Sequence, residues 1–156
     1  MGMASVPPMR RSQVIMRLPV DHVTASLILH DGDRAEVVIF ISPDEDIARV
    51  LADRKPFLPM IRSGKLVLVA RAAIAALGLP SVTVIPQHDD LPLVTQAATV
   101  RLRSGQLIEG ELRWIGPATA ERTADHLNSD EPYLKVHAAT TTYHVVKHHI
   151  ALVEER

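Results

Sequence analysis

The alternation of apolar and polar residues predicts short β-strands along the second half of the chain. From Leu107 to Ile115 apolar residues and glycine occupy every second position from Ile108, and charged residues lie between them, as on a half-buried strand. The Ser104-Gly105 pair before this segment is a turn signal. One stretch has helical spacing instead, because Ala124 and Leu127 lie three residues apart. The pattern predicts strands over 99–103, 107–115, 132–136, 140–146 and 150–153, and a helix over 121–128.

The first half predicts the same order of elements. A turn at Asp31-Gly32 separates its first two strands. Residues 70–77 have helical propensity, but comparison with the second half favours a tight turn followed by a last strand. The connector between the halves holds an apolar run over 82–85, which is compatible with an extra edge strand. The predicted elements are strands over 23–29, 35–41, 56–61 and 65–69, and a helix covering 47–51.

The two halves also repeat individual residues in the same order. The offset between them is constant up to one loop, where three residues are gained, and constant again beyond it. The order, the single gap and the matching glycines and prolines favour a tandem duplication. The recurring pairs are Leu18/Leu91, Pro19/Pro92, Ala25/Ala98, Leu29/Leu102, Gly32/Gly105, Glu36/Glu109, Ala48/Ala124, Leu51/Leu127, Pro56/Pro132, Leu58/Leu134, Val69/Val145, Ile74/Ile150 and Ala75/Ala151.

The repeat predicts the domain organisation. We expect an N-terminal arm over 1–17, a first repeat over 18–79, a linker over 80–90 and a second repeat over 91–156. Units of roughly sixty residues are near the lower limit of independent stability, so each would gain by packing on the other or on a partner chain. Five short strands with a tight turn before the last are typical of SH3-like or Sm-like barrels. The predicted fold is mainly β, with two tandem five-stranded barrels of this kind, each with a short helix between its second and third strands.

Two motifs in the second repeat resemble the Sm-like proteins, and among them the bacterial RNA chaperones of the Hfq type. The first motif is a strand, a glycine turn and a second strand with a glycine before a leucine. The second is the strand, tight turn and strand over 143–150, which contains Lys147-His148. The first motif is carried by Val100, Leu102, Gly105, Ile108, Gly110 and Leu112.

The resemblance implies assembly into rings through edge strands, and it implies RNA contacts on the tight turn. By this resemblance Lys147 and His148 are candidate RNA-binding residues, and Arg71 occupies the position of Lys147 in the first repeat. Arg101 and Arg103 add a basic face to the second repeat. The first repeat has Val37 where the second has Gly110, so it lacks part of the Sm-like pattern.

No set of residues predicts catalysis. His137, His144, His148 and His149 lie within thirteen residues, but the adjacent pair would point to opposite faces of a strand. We interpret these histidines as polar residues on a solvated strand and turn, and we expect no metal site and no cofactor. Asp125, His126 and Ser129 have the residue types of a catalytic triad without a nucleophile-elbow context. Glu109 and Glu111 are expected to pair with Arg101, Arg103 and Arg113.

Composition bears on the possible partners and on the location of the protein. The 17 basic and 18 acidic residues nearly cancel, so net charge does not favour a polyanionic partner. The chain has no cysteine, which rules out disulfides. There is no apolar run of membrane-spanning length and no signal-peptide pattern, so we expect no membrane association and a cytoplasmic location.

Two functions fit these observations. The preferred hypothesis is a non-enzymatic tandem Sm-like module that forms homo-oligomers and binds a protein partner of unknown identity. The alternative is an Hfq-like RNA-binding post-transcriptional regulator that uses the basic residues of the turns. An enzyme is the least favoured class, because it would need a site formed between chains.

Overall fold

The computed structural model describes residues 21–41, 47–81, 93–115 and 123–156. The predicted arm over 1–17 and the predicted edge strand over 82–85 lie outside these residues. Among the described residues, no helix combines the length and the apolar character that a membrane crossing requires.

The described residues form one antiparallel sheet, which confirms the mainly β prediction. Its ten strands are β1 (Asp21–Leu29), β2 (Arg34–Ile41), β3 (Phe57–Arg62), β4 (Lys65–Ala70), β5 (Ile74–Pro80), β6 (Leu93–Leu102), β7 (Leu107–Ile115), β8 (Tyr133–His137), β9 (Thr141–Val146) and β10 (Ile150–Glu155). They lie across the sheet in the order β10-β6-β7-β8-β9-β5-β1-β2-β3-β4. The other described elements are two short α-helices, α1 (Ile47–Ala52) between β2 and β3 and α2 (Thr123–Leu127) between β7 and β8, and two 3-10 turns.

The order of strands is the same in the two halves. In the first half the order across the sheet is β5-β1-β2-β3-β4. In the second half it is β10-β6-β7-β8-β9. One antiparallel pairing, between β5 and β9, joins the halves. The sequence predicts two closed barrels, whereas the described strands are hydrogen-bonded as one open sheet whose edges are β4 and β10.

The turns at the start of each half are built alike. Gly32 has a φ of 93° and Gly105 a φ of 95°, a left-handed conformation that glycine adopts without steric cost. The Gly32 N–H donates to the Leu29 carbonyl at 3.0 Å, and the Gly105 N–H donates to the Leu102 carbonyl at 2.9 Å. The predicted glycine turns are therefore present in both halves.

The tight turn before each last strand is also shared. A single 3-10 turn follows β4 at Arg71–Ala73, and another follows β9 at Lys147–His149. The Arg71 N–H donates to the Pro56 carbonyl at 2.8 Å, and the Lys147 N–H donates to the Pro132 carbonyl at 3.0 Å. The region 70–77 is thus a tight turn and a strand, as predicted, and not a helix.

Each half has an apolar cluster, and the two clusters exchange residues at the junction. Ile28, Ala75 and Ala76 come from the first half but belong to the cluster of the second half. Tyr133 comes from the second half and packs against the cluster of the first. Because burying apolar area is the dominant stabilising term in folding, the halves stabilise each other through this exchange.

Gly110 of β7 lies in close contact with β8. A Cβ atom at this position would come within 2.7 Å of the His137 carbonyl oxygen and within 2.8 Å of a Val136 methyl group. Such distances are far shorter than a van der Waals contact, so a side chain here would push β8 away from β7.

We therefore predict that Gly110→Ala lowers the free energy of unfolding by about 1–3 kcal/mol. Urea denaturation followed by circular dichroism measures the change. The neighbouring Glu109→Ala change, on the exposed face of β7, serves as the control and should stay within about 0.5 kcal/mol of the parent protein. Equal midpoints for the two variants would contradict the prediction.

Candidate binding site at the junction of the two halves

The junction is a five-residue antiparallel pairing between β5 and β9. It runs from Ala76 opposite Val145 to Pro80 opposite Thr141. Beyond β5, the Ser81 N–H donates to the Thr140 carbonyl at 2.9 Å, and the Ser81 hydroxyl lies 3.1 Å from that of Thr142. The pairing therefore continues to the end of the described segment.

Two side chains of the second half reach across to backbone carbonyls of the first. The Gln106 side-chain amide donates to the Gly32 carbonyl, so the β6–β7 turn is attached to the β1–β2 turn. His149 Nε2 lies 3.1 Å from the Ala72 carbonyl oxygen, which only accepts, so Nε2 carries the proton. Both turns of each half are thus fixed against the corresponding turns of the other.

Burial lowers the pKa of the His149 imidazole. Its hydrogen bond to Ala72 raises the pKa, while the nearby His148, His30 and Arg103 side chains add to the lowering. The net shift favours the neutral ring, which donates through Nε2 and leaves Nδ1 as an acceptor.

A cavity of about 320 Å³ lies beside this contact, between the two 3-10 turns. Its walls come from both halves. The first half contributes Leu51, Arg71, Ala72 and Ile74, and the second contributes Tyr133, Val146, His148 and His149.

Arg71 holds the end of α1 against the junction. Its Nη1 donates to the carbonyls of Val50 at 3.0 Å and Leu51 at 2.6 Å, and its Nε donates to that of Lys55 at 2.7 Å. These carbonyls lie at or beyond the C-terminal end of the helix, where backbone acceptors lack helical partners. The remaining Nη2 is buried and has no hydrogen-bond partner among the described residues.

Lys147 has the equivalent position and an equivalent contact in the second half. Its ammonium donates to the Ser129 carbonyl and to the Ser129 hydroxyl, both at 3.2 Å, just beyond α2. Burial lowers the pKa of Lys147, and the acids Glu131 and Asp130 oppose that shift. The cation after the fourth strand therefore attaches the chain that follows the helix in both halves.

The structure brings together only part of the predicted RNA-binding set. Arg71 and His148 line the same cavity, while the Lys147 ammonium is directed to Ser129. Arg103 is connected to the turn by its N–H, which donates to the His149 carbonyl at 2.9 Å. Arg101 is an exposed residue of β6 opposite Leu107 and Leu152, and it lies outside the cavity lining.

The other polar constellations have structural partners. Arg113 pairs with Glu111 on its own strand at 2.8 Å rather than across strands. The ring of His126 stacks on Trp114 at a centroid distance of 5.0 Å, and Ser129 bonds Lys147, so these two members of the triad-like set are engaged elsewhere. Within the described ranges, no three histidine or acidic side chains are grouped so that they could bind a metal ion.

Sequence reasoning missed two residues of the site. Gln106 follows the predicted turn and gave no signal, since its partner lies 74 residues away. Tyr133 lies within the strand predicted over 132–136, which gives it no site role, although the repeat aligns it with Phe57 and so places an aromatic residue at this position in both halves.

Both edges of the sheet carry exposed apolar residues. Leu66 and Leu68 on β4 are 68% and 65% exposed, and Phe57 on the neighbouring strand is 55% exposed. On the opposite edge, Leu152 of β10 is 42% exposed. Unpaired edges of this kind are templates for pairing with another strand.

No protein-family model, curated protein or solved structure matches the chain.

We predict that the protein loses stability as the pH falls below about 6.5, the unperturbed histidine value. Because the pKa of folded His149 is lowered, the unfolded chain takes up the proton first, and stability is lost down to the folded-state pKa. His149→Gln keeps a donor for Ala72 without a titrating ring and should show a smaller loss between pH 7.5 and 5.5.

Thermal unfolding across that pH range measures the effect. His22→Gln is the matched control, since His22 is exposed on β1 outside the junction. An identical pH profile for His149→Gln and the parent protein would contradict the role of this ring.

Proposed function

We propose that the protein is a non-enzymatic, self-assembling module of two tandem Sm-like barrels whose copies join edge to edge. The observation that carries this proposal is the β5–β9 junction. At this junction β5 of the first half pairs with β9 of the second. The strands that correspond to them in the repeat, β10 for β5 and β4 for β9, are the two unpaired edges of the sheet.

The repeat relates the two junction strands to the two edges. The same offset that places Ile74 on Ile150 places β5 on β10 and β9 on β4. A second copy would therefore pair its β10 with β4 as β5 pairs with β9 inside one chain. The same kind of contact would then be used within and between chains.

The exposed edge residues support this proposal, because their counterparts are buried at the junction. Leu68 is 65% exposed on β4, while its counterpart His144 on β9 is 6% exposed. Leu152 is 42% exposed on β10, while its counterpart Ala76 on β5 is 0% exposed. The edges thus resemble two halves of one interface that a second copy would bury.

The architecture of each half supports the barrel assignment. Both halves have the strand order fifth-first-second-third-fourth, with a helix between the second and third strands. Both have a register shift in the pairing of the first and last strands, at Ile28/Leu29 and at Ile150/Leu152. Sheets bend at such irregularities, which favours curling of each half into a barrel.

Pairing of two different edges is a head-to-tail contact. Such contacts give a closed ring when the rotation between copies closes and a filament when it does not. In a ring, three chains with two barrels each would form a pseudo-sixfold assembly.

RNA binding of the Hfq type is the second candidate, favoured by the shared cavity position of Arg71 and His148. It would make oligonucleotide binding fall steeply with salt and with Lys147→Ala. Assembly is preferred because the Lys147 ammonium and the Nε and Nη1 groups of Arg71 donate to their own halves, which leaves only the buried Nη2 of Arg71 for a ligand.

We predict that Leu68→Glu abolishes the oligomer without unfolding the chain. The substitution puts a charge on an edge strand that the proposed contact would bury, which is how natural sheets block edge pairing. Light scattering after size-exclusion chromatography measures the mass, against a chain mass of 17.1 kDa.

The control is Ile115→Glu, which adds the same charge at a 42% exposed position away from both edges. It should leave the oligomer intact. A parent protein that is monomeric at high concentration would contradict the proposal.

The proposal also predicts the register between copies. Repeating the junction places Leu152 of one copy opposite Val69 of the next, since Ala76 lies opposite Val145. Because the chain has no cysteine, Leu152→Cys combined with Val69→Cys should form a disulfide between copies under mild oxidation.

The matched pair, Leu152→Cys with Leu66→Cys, moves the second thiol three residues along β4, roughly 10 Å away. It should cross-link much less. Denaturing electrophoresis without reductant reads the yield, and equal yields for both pairs would refute this register.

A further inference from the structure

The junction cavity has features of a built ligand site that the assembly proposal does not use. Its volume of about 320 Å³ is at the small end of the range for ligand pockets. It lies inside one chain, between the two halves, and it is therefore present whether or not copies associate.

The walls of the cavity are mainly apolar. Leu51 and Ile74 are buried residues of the first half, and Val146 faces them from the second. Such walls favour a ligand with an apolar body, because its burial removes apolar surface from water.

The cavity also contains one permanent positive charge. The Arg71 guanidinium is always protonated, and its three hydrogen bonds go to neutral carbonyl oxygens. Neither of the two ion pairs seen among the described residues involves it. Its Nη2 is buried without a partner, and an orphaned buried donor calls for an acceptor.

Two other polar groups of the lining, Tyr133 and His149, favour the neutral state. Burial raises the pKa of the Tyr133 hydroxyl, and the positive charge of Arg71 opposes this rise only in part. The hydroxyl therefore keeps its proton at neutral pH. His149 favours its neutral form and presents Nδ1 as an acceptor, as its Nε2 proton is used by Ala72. One fixed charge beside neutral groups matches a ligand with a single negative charge better than a dianion.

We propose that this cavity binds a small organic carboxylate, with the acidic group at Arg71 and the apolar body against Leu51, Ile74 and Val146. A guanidinium and a carboxylate form the strong, charge-assisted hydrogen bonds that orient a ligand. The ligand contacts both halves and would fix them against each other.

Benzoate is a suitable probe, and benzamide is its uncharged counterpart of the same shape. Titration of the full chain, followed by methyl NMR of Ile74 and Val146, should give saturable shifts with benzoate. Benzamide should bind at least tenfold more weakly, since it lacks the charge that Arg71 would recognise. Saturation by both probes with equal affinity would overturn the role of Arg71.

A cavity-filling variant provides the second arm. Ala72 is an exposed residue of the lining, so Ala72→Phe should occupy the cavity without removing a core contact and should weaken benzoate binding at least tenfold. Ala97→Phe, an equally exposed change on β6, is the control and should bind as the parent does. Unchanged binding by Ala72→Phe would place benzoate elsewhere and refute the site.

Uridine monophosphate and a short oligouridylate distinguish a nucleotide site from a carboxylate site. Either of them binding more tightly than benzoate at the same methyl groups would overturn the proposal. Light scattering of the same samples reports the oligomeric state separately, so loss of ligand binding and loss of assembly are distinguishable outcomes.

Discussion

The rest of the structure depends on the hydrogen-bonded pairing of β5 with β9. Each half is a small sheet, and its size is near the lower limit at which a domain folds independently. The pairing places Ile28, Ala75 and Ala76 of the first half in the cluster of the second, so that each half completes the core of the other. It also brings the two 3-10 turns side by side and thereby forms the cavity between them.

Corresponding positions explain why the internal junction and the proposed contact between copies would differ in strength. The internal junction is held by the side chains of Gln106 and His149, which reach the backbone of the other half. In the first half, Asp33 corresponds to Gln106 and Ala73 corresponds to His149. The Asp33 carboxylate pairs with Arg62, and neither Asp33 nor Ala73 has a side-chain N–H donor. We infer that the two-half chain is the permanent unit and that the proposed association between chains would be the weaker, reversible step.

Local features of the fold were predictable from the sequence, and contacts distant in sequence were not. Glycine turns at Gly32 and Gly105 follow from residue chemistry alone, as does the alternation along β7. The β5–β9 pairing depends on which strand edges meet in space, and the strand residues themselves are compatible with separate barrels. Likewise, the sequence shows a cation on a tight turn at Arg71, but two of the three carbonyls it binds belong to α1 and the third follows it.

Arg71 and Lys147 show how a shared position separates a structural role from a binding role. Both follow a fourth strand, and both donate to the chain at or beyond the helix of their own half. Because this hydrogen bonding to the chain at or after the helix occurs in both halves, it is explained by folding. A feature that occurs at Arg71 alone needs a further reason. Arg71 has a buried Nη2 without a partner and lines the cavity where the two halves meet. Lys147 is not part of that cavity lining. This difference between Arg71 and Lys147 favours a ligand at the junction over a binding role shared by both turn cations.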